Sequence, residues 1–213
     1  MSQNIEINKL IQFIENKQDF SIIRSNSCFY NNHLGAVLTD IVLQAGLNYK
    51  TVVLPRVLRV YNNYNEAHDL DSLITTINNI GLESFLNWKN HIKLKRFQSI
   101  IDFLIENSIQ TTNELLIHLN NGSNIQSFLS IPGIGNKTID YFFKLMHVDT
   151  IAVDRHIIKF LNQAEINFNN YQCAKRIVEF TADMLNVSRR DIDYSIWNYM
   201  SSNSYQNVLE FGI

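Results

Sequence analysis

The chain has 213 residues, 46% of them apolar, and a formal net charge of −2. The apolar share supports a buried core in one large domain or two small lobes, and the charge is not the strongly basic balance of a tight non-specific nucleic-acid binder. With two prolines and seven glycines there is little material for repeated hairpins, so a mostly helical fold is expected.

Ile7, Leu10, Ile11 and Ile14 recur at helical spacing and predict a first helix from near Ile5. Leu34–Leu43 is a dense apolar run, helical by length and expected to be buried. Asn48 is the candidate cap of a helix carrying Val52, Val53, Val57 and Val60, within which Pro55 is out of place because an internal proline kinks or breaks a helix. Asp71 to Ile80 is amphipathic and stops at Gly81. A further helix spans Ile92–Ile105, with Leu94, Phe97, Ile101 and Leu104 on one face, preceded by the basic stretch Lys89 to Arg96. That stretch reads equally as a phosphate-steering patch or as a solvated turn and helix start. Short helices are expected over Thr112–Leu119 and Ile125–Leu129, then over Lys137–Met146, near Ile157–Leu161, and over Tyr171–Leu185 and Asp191–Met200, with Ser188 and Asp191 spaced as a capping box.

No run of about eighteen uncharged apolar residues occurs, so no membrane span is expected, and Met1 to Asn8 lacks the pattern of a secretory leader. Cys28 and Cys173 stand apart without metal-ligand spacing. A reduced cytoplasmic setting, nucleoid-associated in a bacterium, is therefore expected, with no metal and no other cofactor.

The sharpest pattern is Ile131-Pro132-Gly133-Ile134-Gly135-Asn136-Lys137, followed by Asp154 within Val153-Asp154-Arg155-His156. Two glycines around one apolar residue make a turn tight enough for backbone N–H groups to face a phosphate, and a helix beginning there adds its positive end. A helix of about ten residues rises roughly 15 Å. About seven extended residues reach up to roughly 23–25 Å. The spacing therefore lets the chain return Asp154 towards Lys137.

Ile131–Thr138 and Val153–His156 resemble the helix-hairpin-helix superfamily of base-excision DNA glycosylases, most closely its lyase-competent endonuclease III and 8-oxoguanine glycosylase types. Leu38–Gln44 and His91–Ile101 resemble, more diffusely, the early helix before that family's DNA-intercalating loop and the segment preceding its hairpin. The resemblance implies an all-α fold of two helical lobes with a central cleft: 34–140 as one lobe, ending in the hairpin, and 1–33 plus 141–213 as the other. It makes Lys137 the nucleophile and Asp154 the catalytic aspartate. Gly133, Ile134 and Gly135 become DNA contacts, joined by Gln44, Asn48 and Tyr49 as candidate fillers of the gap left by a flipped base, and by His156 on a phosphate. Trp88 and Trp197 are base-pocket candidates, though each reads as readily as a core aromatic.

The chemistry agrees with these roles. A fixed carboxylate stabilises positive charge growing on a sugar, and a neutral amine forms a Schiff base with the sugar carbon. The partner implied is double-stranded DNA containing a lesion, bound by a monomer. The endonuclease III branch's four cluster cysteines have no counterpart, since Cys173 alone follows the motif. The segment His147–Thr150 lacks the usual Gly and Pro. Two other readings stay open: a monofunctional glycosylase for alkylated bases, in which Lys137 only binds DNA, and a non-catalytic DNA-binding module.

Overall fold

The computed structural model describes residues 2–25 and 27–210, and among these the fold is all-α, with no strand. In chain order the helices are α1 (Ser2–Asn16), α2 (Leu34–Leu43), a π-helical turn (Tyr49–Val53) running into α3 (Leu54–Asn63), α4 (Leu70–Ile80), α5 (Leu82–Leu86), α6 (His91–Glu106), α7 (Thr112–Asn120), α8 (Gly122–Leu129), α9 (Asn136–Leu145), α10 (Arg155–Gln163), α11 (Tyr171–Met184) and α12 (Arg189–Glu210). No helix among the described residues is long and apolar enough to cross a membrane.

The chain forms two compact units, Cys28–His147 and Met1–Ser27 with Val148–Ile213. Each has its own apolar core. Residues 28–33 and 141–147 belong with the larger unit because Tyr30, Phe142, Leu145 and Met146 are part of its core.

The larger unit is built around α2, whose ten residues are all buried. A helix apolar on every side can only sit inside a core, and α2 packs against α3, α4, α6 and α9. Its N-terminal amides are satisfied without water. His33 Nδ1 accepts from Ala36 N at 3.1 Å, while Leu34 N and Gly35 N donate to His68 O and Ala67 O at 3.1 and 2.9 Å. Gly35 is required by the close approach: a Cβ there would lie 2.9 Å from Phe85 Cζ and 3.1 Å from Ala67 O.

Pro55 occupies the first turn of α3, where a missing N–H costs nothing. The wider π turn precedes it, closed by Leu54 N donating to Tyr49 O and capped by Asn48, whose side chain accepts from Thr51 N at 3.0 Å. The expected single helix is thus two consecutive pieces, with the proline at their junction. α5 carries no periodic signal strong enough to be read in advance; Phe85 and Leu86 anchor it in the core.

In the smaller unit α1 packs on α11 and α10 on α12. The segment from 148 to 153 has no regular secondary structure and so no helical or strand partner for its backbone. Side chains satisfy its backbone instead. Asp193 Oδ2 accepts from Ala152 N at 2.8 Å and the Tyr171 hydroxyl accepts from Val153 N at 3.2 Å, while in the other direction the segment's own Asp149 Oδ1 accepts from Arg190 N at the start of α12, at 3.0 Å. At the start of α12, Ser188 Oγ accepts from Asp191 N at 3.0 Å. The Asp191 carboxylate does not close a capping box; it turns to Ser25, accepting its N–H at 2.8 Å and its hydroxyl at 2.9 Å.

Candidate active site

Between α8 and α9 the backbone makes a tight turn, with Ile134 N donating to Ile131 O at 3.0 Å. Proline at the second position of this turn and a glycine at φ +86° at the third are the residues such a turn selects. Ile131 and Ile134 are buried and pin the turn to the core, leaving Pro132 and Gly133 exposed between them. Arg96, from α6, lies against the turn: its Nε donates to Pro132 O at 3.0 Å, and its guanidinium fills the space a Gly133 side chain would need. Gly135 is extended, caps α9 without a side chain and has open space where a Cβ would go. The first turn of α9 is therefore left accessible at that point.

Lys137 stands on that first turn, half-buried. Its Nζ donates to Gln44 Oε1 and lies 5.3 Å from the centroid of the Tyr141 ring, one turn further along α9. Gln44 is the C-cap of α2. One turn earlier on α2 is Asp40, wholly buried. Three tyrosine hydroxyls donate to its carboxylate: Tyr30 at 2.6 Å, Tyr141 at 3.1 Å and Tyr49 at 3.3 Å. Burial pushes the Asp40 carboxyl up to about 6, although the three hydroxyls and the Lys137 charge pull the other way. The Tyr30, Tyr49 and Tyr141 phenols are all raised, chiefly by burial and then by Asp40.

A third cation joins this group. Lys93 Nζ donates to Val42 O and Ala45 O at 2.9 Å each and to Leu43 O at 3.3 Å, capping the carbonyl end of α2. Burial, followed by the charges of Arg96 and Lys137, lowers its amine to about 8.

The larger unit thus brings Lys137, Gln44 and Tyr49 together. Asn48 serves as the cap of the π turn, and Trp88 is engaged elsewhere, under the Arg56 guanidinium at 5.0 Å, with its Nε1 buried and unbonded. In the smaller unit Asp154 is the N-cap of α10. Its Oδ1 accepts from both His156 N and Ile157 N, at 2.8 and 3.0 Å, so the carboxylate is held in one orientation. The His156 ring meets Trp197 edge-on at 6.5 Å, and Trp197 stacks on Tyr194 at 6.0 Å.

Sequence reasoning passed over Asp40, Tyr30 and Tyr141, and read Lys93 and Arg96 only as members of a basic stretch. The signal for Asp40 was available: a carboxylate inside an otherwise apolar run destined for burial is costly unless it has a role. Among the described residues no cluster of His, Cys, Asp and Glu is arranged to hold a metal ion.

No curated protein and no solved structure matches the chain. A family described as a domain of unknown function (DUF8548) matches residues 8–201, a span that takes in every site residue named above, and the chain belongs to that family.

Proposed function

We propose that this protein is a DNA glycosylase that removes a damaged base from double-stranded DNA and then cuts the strand through a Schiff base on Lys137. The observation that carries the reading is the placing of Lys137: a half-buried amine on the first turn of α9, directly after the glycine turn, touching Gln44 and close to a wholly buried carboxylate. In this reading α8, the Gly133 turn and α9 form a helix-hairpin-helix whose exposed backbone takes a DNA phosphate. Gln44 and the following turn fill the gap in the duplex. Asp154, fixed by its two capping bonds, stabilises the positive charge that develops on the sugar as the glycosidic bond breaks. Oxidised purines are the first class to test, because the lysine is present and the cluster cysteines of the oxidised-pyrimidine branch are not.

The experiment is borohydride trapping on duplexes carrying 8-oxoguanine, thymine glycol, uracil or an abasic site. A covalent protein–DNA adduct is expected with the natural chain and none with Lys137→Gln, while Asp154→Asn folds and loses base release. An adduct that persists in Lys137→Gln overturns the assigned nucleophile. Base release without strand cutting selects the monofunctional reading, and duplex binding without release on any lesion selects the non-catalytic one.

A further inference from the structure

The glycine turn has no cation of its own. Residues 119–136, which take in α8 and the turn, include no charged side chain, and Lys137 beyond them donates to Gln44. Drawing a phosphate to a chain of net charge −2 requires a positive group close to where it docks. Arg96 brings one from α6. Its Nε donates to Pro132 O at 3.0 Å, and its guanidinium lies in the space where a Gly133 side chain would stand. Glycine at 133 therefore meets two demands at once, a φ of +86° and room for that guanidinium.

A guanidinium carries five N–H donors in a planar fork. The other arginines of the larger unit direct theirs inward. Arg59 donates through Nη1 to Phe85 O and through Nη2 to the Tyr64 hydroxyl, both at 2.8 Å. Arg56 donates to Asn87 O and Val52 O, at 3.0 and 2.8 Å, and covers Trp88. Those two arginines tie elements together. Arg96 uses only Nε on the protein: among the described residues no acceptor is bonded to its Nη1 or Nη2, and no carboxylate pairs with it. Its two amino groups stand instead beside the exposed Pro132 and Gly133.

We propose that Arg96 is a DNA-binding residue, whose amino groups take the oxygens of one duplex phosphate at the tip of the Gly133 turn, and that Gly133 seats it there. A guanidinium fork matches two phosphate oxygens, and its Nε bond to Pro132 O fixes the orientation before the phosphate arrives. The proposal rests on the reading of this turn as a duplex-binding hairpin and adds to it the cation that the hairpin lacks.

The test is the salt dependence of binding, followed by fluorescence anisotropy of a labelled undamaged duplex between 50 and 200 mM salt. Arg96→Gln should weaken binding and flatten the plot of log Kd against log salt by about 0.9, the contribution of one phosphate contact. Its affinity deficit should then shrink by about 3.5-fold across that range. Arg96→Lys keeps the charge and should keep the slope. An arginine that merely braced the turn would change affinity without changing the slope. Gly133→Ala should cost more affinity in the natural chain than in Arg96→Ala, because the φ strain is common to both and the collision with the guanidinium is not. An unchanged slope in Arg96→Gln overturns the proposal. So does an Arg96→Lys slope as flat as that of Arg96→Gln, or an equal cost of Gly133→Ala in both backgrounds. Base release with an unchanged slope in Arg96→Gln removes the role of Arg96 alone. The expected slopes with neither base release nor a trapped adduct remove the glycosylase reading and leave Arg96 in place, and a natural chain that binds no duplex overturns both.

Discussion

Two of the buried aspartates, Asp40 of the larger unit and Asp193 of the smaller, do opposite work. Asp193 in the smaller unit accepts a backbone N–H from Ala152 and so holds down the irregular segment that leads to Asp154. Asp40 in the larger unit is bonded by three tyrosine hydroxyls, and no backbone group needs it. The first answers a demand of the chain, because a buried amide without an acceptor is costly. The second burdens the chain, since burial alone drives its carboxyl upward. A burden of this kind makes Asp40 a candidate for a functional role.

Removing either acid separates the two cases. Asp193→Ala strands the Ala152 amide and should cost about 3 kcal/mol, read as a lower denaturant midpoint for the smaller unit. Asp40→Asn should act in the other direction. The Asp40 carboxyl is shifted from 3.8 to about 6, so its ionised form is favoured less in the folded chain than in the unfolded one. Its contribution is therefore most favourable below about pH 4 and declines as the pH rises to about 6. At pH 7 the penalty is about 3 kcal/mol. Asp40→Asn should raise the melting temperature at pH 7, lose that advantage near pH 4, and impair the chemistry of Lys137. A lowered melting temperature at pH 7 would put Asp40 in the same class as Asp193.

A smaller effect sharpens the same contrast at His33, the cap of α2. Nδ1 must stay unprotonated to accept from Ala36 N, while Nε2–H donates to Tyr64 O at 2.9 Å. Burial holds its pKa below the ordinary 6.5. The neutral ring stabilises the fold fully above pH 6.5, and that stability declines as the pH falls towards the lowered folded value. His33→Ala should cost about 1 kcal/mol near pH 7.5 and should flatten this part of the pH dependence, as followed by thermal melts across pH 5–8.

Much of the helical framework could be read from local pattern. The apolar run of α2, the cap at Asn48 and the stop at Gly81 each depend on residues within one turn of where they act. The π turn was hidden because Pro55 signals a break without saying which helical pitch accommodates it. Of the candidate site, half was legible. Gly133 and Lys137 announce themselves by spacing, whereas Asp40 collects its hydroxyls from positions 30, 49 and 141, and Lys93 binds main-chain oxygens that carry no sequence signature. Contacts of that kind arise only when the helices pack.

The complete burial of α2 has a further consequence. A rod enclosed on all sides cannot roll or slide without opening the interior around it, so Asp40 is held by the packing on every side and Gln44 is held at the end of the same rod. Any rearrangement that brings a substrate into place must then be absorbed at its exit, where Gly46 adopts φ +77° in open space and the chain first regains freedom to bend.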